Sequence, residues 1–383
     1  MGRKWFSEEH GIFQQSVRRF VDKEIIPHID QWEEEREVPR ELWRKLGAQG
    51  FLCPCLPEGY GGSGVDFSYS VIIQEELTRS TCTGISTGVR VHADIVVPYI
   101  LENGTEEQKK EILPGCTTGD IIMAIGMTEP DCGSDLAHLR TTALKDGDDY
   151  VINGQKTFIS NGINCDWVIL AVRTDPDAEP SYKGVSLVLV PAGAPGFSKG
   201  RKLRKMGMHS QDTGELIFED CRVPQKNLLG EEGRGFHILM ENLQQERLVI
   251  CIGAVTIAEK MLEVTLDYTK TRTAFGRPIS SFQHNSFKLV EVATEIEVGR
   301  TFVDSLIEDH MEGKDITRRV SMGKWWLTDL ANRVAYQCLQ LHGGYGYMEE
   351  YLICRLYRDV RVQTIVGGTN EIMKRILAKM MKL

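Results

Sequence analysis

Tyr150-Val151-Ile152-Asn153-Gly154 is the stretch on which the reading of the fold turns. Its β-branched and aromatic residues favour a pleated strand, and Asn-Gly favours a tight turn after it. Three more apolar or alternating runs follow, Trp167 to Val172, Val185 to Val190 and Glu215 to Phe218, separated by Gly, Pro and Asp. The flanking sequence has another period. Phe13, Val17, Phe20, Val21 and Ile25 recur every three or four positions behind Ser7 and an acidic first turn, which predicts a capped helix. Leu42, Trp43 and Leu46 predict a second helix, Tyr69 to Leu77 a third and Ile95 to Leu101 a fourth. From about Gly233 the helical period returns and persists through Leu248 to Tyr268, Phe287 to Met311 and Val320 to Leu341, segments long enough for a bundle. The expected architecture is α+β and mostly α: an N-terminal helical domain over 1–120, a central β domain over 121–232 and a C-terminal helical bundle over 233–383. The junction of such domains is an ordinary place for a cofactor.

The 383 residues include 45 Lys and Arg against 54 Asp and Glu, a formal net charge of −9. An acidic chain without clustered cations is unsuited to phosphate backbones, so nucleic acid is not an expected partner. No run approaches the roughly 18 apolar residues of a membrane span. Met1 to His10 turns acidic before any apolar run develops, so no signal peptide is expected. The ten cysteines are scattered without a C-x-x-C pair, as reduced intracellular thiols are. Cys53-Pro54-Cys55 has no His or Cys partner at ligand spacing, and no metal site is expected. Gly84-Ile85-Ser86-Thr87-Gly88 matches G-x-S-x-G, but a nucleophile elbow needs a preceding strand, and helix and polar loop stand there instead. Gly61-Gly62-Ser63-Gly64 likewise follows no strand and reads as a loop.

Five strings carry residues suited to chemistry, and each also has a plainer explanation. Met127-Thr128-Glu129-Pro130-Asp131-Cys132-Gly133-Ser134-Asp135 offers hydroxyls and a glycine backbone to a flat heterocycle or a phosphate, or is an Asp/Ser/Gly turn. In Lys156-Thr157-Phe158-Ile159-Ser160-Asn161-Gly162, Phe158 and Ser160 share a strand face and could meet a ring, or the string is an alternating strand with a turn. Arg272-Thr273-Ala274-Phe275-Gly276-Arg277-Pro278 follows a long helix; its Arg suits a diphosphate or the helix dipole. Gln340-Leu341-His342-Gly343-Gly344-Tyr345-Gly346-Tyr347 has adjacent glycines, where a helix stop needs one. Val366-Gly367-Gly368-Thr369-Asn370-Glu371-Ile372 precedes an amphipathic helix with Thr369 as N-cap, a seat for an anion or a cap alone.

Together and in this order, the strings resemble the acyl-CoA dehydrogenase family over essentially the whole chain. The resemblance implies an α-helical N-terminal domain, a central β-barrel-like domain and a C-terminal four-helix bundle, assembled as a homotetramer with FAD. It implies that Met127, Thr128, Gly133 and Ser134 meet the flavin and the CoA side of a thioester, and that Phe158 and Ser160 back the flavin. Arg272, Phe275 and Gln283 would grip the diphosphate and adenosine of a neighbouring subunit's FAD. Gln340, Gly343 and Gly344 would contact the same diphosphate, and Thr369 and Glu371 the FAD near the last helix.

The catalytic base departs from the commoner family pattern. Many members carry a Glu immediately before the Gly-Thr of the last string, where this chain has Gly367. Long-chain and isovaleryl-CoA dehydrogenases carry it instead on the first long bundle helix. Gln244-Gln245-Glu246-Arg247-Leu248, together with the last string, is most similar to the long-chain type. The resemblance implies Glu246 as base, with the Gly367 N–H donating to the thioester oxygen; the plainer reading of Glu246 is an exposed helical carboxylate paired with a cation. Ser134, Arg247, Ser86 and Arg90 are the implied substrate contacts, the last two at the far end of the acyl pocket. An Arg there is unfavourable unless paired: Arg90 meets a polar or carboxylated acyl tail, faces outward or pairs with an acid. Val366 replaces the aromatic residue of the long-chain enzymes, so their chain-length preference is not carried over.

The expected activity is FAD-dependent α,β-desaturation of a long-chain or branched acyl-CoA in fatty acid β-oxidation, with electron-transfer flavoprotein as acceptor. The alternatives are a dicarboxylyl or cyclic substrate, an acyl-CoA oxidase, and a non-catalytic flavin or acyl-CoA binding protein. The implied compartment is the cytoplasm of a bacterium, or the mitochondrial matrix for a processed eukaryotic form.

Overall fold

Ser7 caps the first helix as its sequence predicts: its hydroxyl accepts from the His10 N–H, while the His10 ring meets the Ser7 N–H. The computed structural model describes residues 3–383. Its N-terminal part comprises α1 (Glu8–Glu24), α2 (Ile29–Glu35), α3 (Arg40–Ala48), α4 (Phe67–Arg79), α5 (Thr83–Val89), α6 (Val97–Asn103) and α7 (Glu106–Thr118). Between α5 and α6, Arg90–Val96 winds as a π turn, so Thr83 to Asn103 is one helix with a widened section. The G-x-S-x-G match lies inside α5 with Ser86 buried, and no elbow forms there.

Strands β1 (Met123–Gly126), β2 (Thr142–Asp146), β3 (Asp149–Ser160), β4 (Trp167–Arg173), β5 (Val185–Pro191), β6 (Phe197–Lys202), β7 (Thr213–Pro224) and β8 (Leu228–Leu229) build one sheet in the order β6-β7-β3-β2-β4-β5-β8. β1 lies beside β4, parallel to it along Trp167–Leu170. Asn153-Gly154 is not the expected turn, because β3 runs straight through it. Gly154 sits at a register shift with φ +150°, and a Cβ there would stand 2.5 Å from Thr141 Oγ1. The glycine marks a close backbone approach rather than a chain reversal.

β4 and β5 face two cores at once. Ile169, Ala171, Leu187 and Leu189 pack with the N-terminal helices, while Val168, Leu170, Val188 and Val190 pack inside the β domain with Tyr150 and Phe218. Burial on both faces is why these strands read as unbroken apolar runs.

The bundle contains α8 (Gly235–Thr271), a short hairpin of β9 (Thr273–Ala274) and β10 (Arg277–Pro278), α9 (Gln283–Met311), α10 (Thr317–His342), α11 (Leu352–Val360) and α12 (Asn370–Met380). Its core joins Leu248, Ile252 and Val255 of α8 to Val292 and Ile296 of α9, Val320, Leu327 and Val334 of α10 and Leu356 of α11. α8 begins at Gly235, about where the helical period is expected to return, and Gln244, Gln245 and Arg247 interrupt its apolar pattern without interrupting the helix. No helix is long and apolar enough to cross a membrane among the described residues.

A buried ion pair ties the loop after β1 to β3. The Lys156 ammonium donates to Glu129 Oε1 (2.7 Å) and the Met127 carbonyl (3.1 Å). Glu129 also accepts from the N–H groups of Arg140 and Thr141. Burial works against the Glu129 charge, but Lys156 and these donors outweigh it and hold the carboxyl below its usual range. Lys156→Met leaves that carboxylate unpaired and should destabilise the fold by about 3–5 kcal/mol in urea unfolding, with Lys156→Met/Glu129→Gln recovering much of the loss.

Candidate active site

Glu246 on α8 is 4% exposed, so it is not the exposed, cation-paired carboxylate of the plainer reading. The Tyr99 hydroxyl of α6 donates to Glu246 Oε1 at 2.6 Å. Burial pushes the Glu246 carboxyl up to about 7; the Tyr99 hydrogen bond and the Arg247 charge act in the opposite direction without cancelling it. The neighbouring residue locks the helix in place. Gln245 Nε2 donates to the Asp94 carbonyl in the π turn (2.7 Å), and Gln245 Oε1 lies 3.1 Å from His310 Nε2 on α9. Arg247 is buried too, and its Nε has no hydrogen-bond partner among the described residues.

Gly367 and Gly368 precede α12 with φ of +64° and +86°, a backbone path that side chains resist. A buried lysine holds this turn from below. Lys324 of α10 donates to the Gly368 carbonyl (2.6 Å) and to Asn370 Oδ1 (3.1 Å). Asn370 Nδ2 in turn donates to Asp329 and to the Trp325 carbonyl. Burial brings the Lys324 ammonium down to about 8. Thr369 caps α12 as expected, accepting from the Ile372 N–H. A Cβ on Gly367 would overlap the tip of Ile250, one turn beyond Glu246 on α8. The helix that carries Glu246 thus packs against the Gly367 turn through Ile250.

Arg90 does not face outward and, among the described residues, makes no ion pair, although the charge of Asp94 in the π turn acts on it. It is 8% exposed, and its hydrogen bonds, to Gln74 Oε1 (3.3 Å) and Thr78 Oγ1 (3.5 Å), are long. Its guanidinium lies against Gly253, where a Cβ would stand 2.5 Å from it. Gly253 is two turns beyond Glu246, about 10.5 Å along α8. Burial lowers Arg90 to about 10. Ser86 is buried on the same long helix and donates to the Thr83 carbonyl.

The loop and strand strings are brought together. The Thr157 N–H donates to the Thr128 carbonyl (2.9 Å), which sets Met127 and Thr128 beside Phe158 and Ser160. Phe158 is 68% exposed with φ +60°, a large ring in a strained backbone with its face uncovered. Gly133 and Ser134 lie exposed further along the loop.

A cleft of about 510 Å³ is lined by Tyr268, Arg272, Gln340, Gly343, Gly344 and Tyr345, among others. Gly343 has φ +60° and ψ −140°, and nothing stands within 4 Å of a Cβ on either glycine. Bare backbone, an amide side chain and a guanidinium thus converge on open space, a donor set suited to an anionic group. Phe275, 96% exposed at the hairpin tip, and Gln283, exposed at the start of α9, stand outside this lining. Glu371 is exposed on the first turn of α12.

Sequence reasoning missed Tyr99, which reads as one more apolar residue of its helix. It also missed Lys324, although a lysine on the stripe of Val320, Leu327 and Ala331 is a signal that can be found.

Family models match nearly the whole chain: the acyl-CoA dehydrogenase N-terminal domain over residues 7–120, the middle domain over 124–221 and the C-terminal domain over 233–382. The chain therefore belongs to the acyl-CoA dehydrogenase family, a family of flavoprotein oxidoreductases. It is 50% identical over 377 residues to the mitochondrial long-chain specific acyl-CoA dehydrogenase of Sus scrofa, covering 98% of this chain and 87% of that protein. In structure it is similar to an acyl-CoA dehydrogenase from Geobacillus kaustophilus, with 55% identity, a TM-score of 0.98 and full coverage of both chains. It is also similar to a glutaryl-CoA dehydrogenase from Mycobacterium smegmatis in complex with FADH2, with 30% identity, a TM-score of 0.91 and coverage of 98% of this chain and 95% of that one.

Gly367→Ala must hold a Cβ at positive φ against Ile250. Urea unfolding should show a loss of about 1–3 kcal/mol, reduced when Ile250→Val is combined with it.

Proposed function

We propose that this chain is an FAD-dependent acyl-CoA dehydrogenase of the long-chain type, with Glu246 as the base that removes the α proton. The observation that carries this reading is a buried carboxyl raised to about 7 and bound by a neutral phenol, on the helix whose Ile250 packs against the Gly367 turn. A general base is most effective when its pKa lies near the working pH, and exclusion of water keeps it there. The Gly367 N–H is the chain's own donor for a thioester oxygen that gains enolate charge, and Lys324 keeps that turn in place.

Bound FAD would supply the acceptor for the β hydrogen. Arg272, Gln340, Gly343 and Gly344 suit its diphosphate, and their open cleft supports that role. Phe275 and Gln283 would reach the adenosine of a neighbouring subunit's cofactor, consistent with a homotetramer. Met127, Thr128, Gly133, Ser134, Phe158 and Ser160 would meet the ring system, with Thr369 and Glu371 near the last helix. Ser134 and Arg247 would contact the thioester side of the substrate, and electron-transfer flavoprotein would take the electrons.

Arg90 favours a second reading of the substrate. A buried guanidinium with only long hydrogen bonds, against Gly253 two turns along α8 from Glu246, suits a polar or carboxylated acyl tail. Anaerobic flavin bleaching across straight, branched, cyclic and dicarboxylic CoA thioesters tests both readings. Long straight or branched chains should bleach fastest; faster bleaching by a dicarboxylic thioester, abolished in Arg90→Met, establishes the second reading. Bleaching by none of them points to a binding protein, and peroxide formed under air without an acceptor protein to an oxidase.

Glu246→Gln should slow flavin reduction by about 10²–10⁴-fold with FAD still bound. Reduction by the unsubstituted enzyme should fall as pH drops below about 7, because the protonated carboxyl cannot accept the proton. Stability carries the opposite sign. The Glu246 pKa is raised on folding, so its contribution is fullest below the ordinary carboxyl range and is lost as pH rises through about 7. Glu246→Gln should therefore raise Tm more at pH 8 than at pH 5.

A further inference from the structure

We infer that Tyr99 is a positioning residue for the base: its hydroxyl fixes one oxygen of Glu246 and leaves the other to receive the α proton. The inference rests on the reading of Glu246 as base. Tyr99 is 0% exposed, and its hydroxyl donates to Oε1 at 2.6 Å. Among the described residues, no donor lies within hydrogen-bond distance of Oε2. A carboxylate held at one oxygen only is restricted in rotation yet still has a free lone pair.

The choice of a phenol is chemically apt. A cation at this distance would neutralise Glu246 and depress its basicity, whereas a phenol stays neutral and favours the charged form more weakly. Burial raises the Tyr99 hydroxyl well above its ordinary range, so the proton remains on the phenol at working pH.

The π turn sets where that hydroxyl points. One extra residue in a helical turn rotates everything downstream by about 100°. Tyr99 lies three residues after Arg90–Val96, so its direction depends on this widened section. Asp94 within the turn is held by Gln74 Nε2 at its side chain and by Gln245 Nε2 at its carbonyl. Gln245 adjoins Glu246, so one set of hydrogen bonds registers the phenol's helix against the base's helix.

Other charged groups act on the pair: Arg247 beside Glu246 on α8 and Glu102 beside Tyr99 on α6, with Lys324 of α10 behind Arg247, Glu241 of α8 behind Glu102, and Asp94 and His310 flanking Gln245. Burial raises Asp94 to about 7 as well, so Asp94→Asn is a required control.

The test uses the FAD-loaded protein and follows deuterium exchange at C2 of a 3-thia-acyl-CoA against pH, a readout of proton abstraction without flavin reduction. Tyr99→Phe should lower the plateau rate about tenfold and move the acid limb up by about one pH unit, because the charged carboxylate loses a donor. Tm and bound flavin should change little. Placing 3-fluorotyrosine at position 99 keeps the shape and strengthens the donor, and should move the limb down; this arm decides the matter if Tyr99→Phe folds poorly. Asp94→Asn should leave the limb in place; a limb that follows Asp94 instead of Tyr99 overturns the proposal. So do profiles that superimpose on the parent for both position-99 variants while Glu246→Gln is inactive, and in that case the base reading stands. Exchange at the parent rate in Glu246→Gln overturns the base reading, and this inference with it.

Discussion

A carboxylate removed from water is the constraint around which this structure is organised. Burying Glu246 penalises its charge, and the protein leaves that penalty largely uncompensated: the partner is a phenol, not a cation. The contrast with Glu129 is instructive. There the same side chain is buried against an ammonium and two backbone donors, which stabilise its charge and confine it to a structural task. Two buried glutamates in one chain thus differ in what faces them, and that difference leaves one raised to about 7 and makes the other a brace.

The elements around Glu246 serve its placement more than its energy. Gln245 grips the π turn, Lys324 grips the Gly368 carbonyl, and Ile250 fills the space that the bare Gly367 leaves open. A buried lysine at this turn is costly to desolvate, yet it anchors a pair of left-handed residues that have no side chains of their own to pack. The site therefore draws on α6, α8, α10 and the turn before α12, four pieces distant in sequence.

Much of the fold was legible because long amphipathic helices announce themselves by period, and α1, α3, α4, α9 and α10 did so. β4 and β5 were equally plain, since burial on both faces leaves only apolar residues. β2 and β6 were not, because Thr142–Asp146 and Phe197–Lys202 are short and rich in charge. The start of α8 near Gly233 was also legible, although the polar residues around Glu246 occupy buried positions for reasons that hydrophobic patterning does not register. Within the candidate site, the glycines and Glu246 stood out as strings, while Tyr99 and the weakly bonded state of Arg90 depend on contacts between helices that no local pattern encodes.

The double burial of β4 and β5 extends beyond the sheet. Alternate residues of each strand belong to the helical core and to the β core, so neither region owns a boundary of its own. Freeing the first helices would strip one side of both strands, and opening the barrel-like part would strip the other. These two regions should melt as one cooperative block, giving a single loss of amide protection across residues that lie more than a hundred positions apart, and the bundle is tied into it, since Val71 of α4 lies in the bundle core and Val249 of α8 in the helical one.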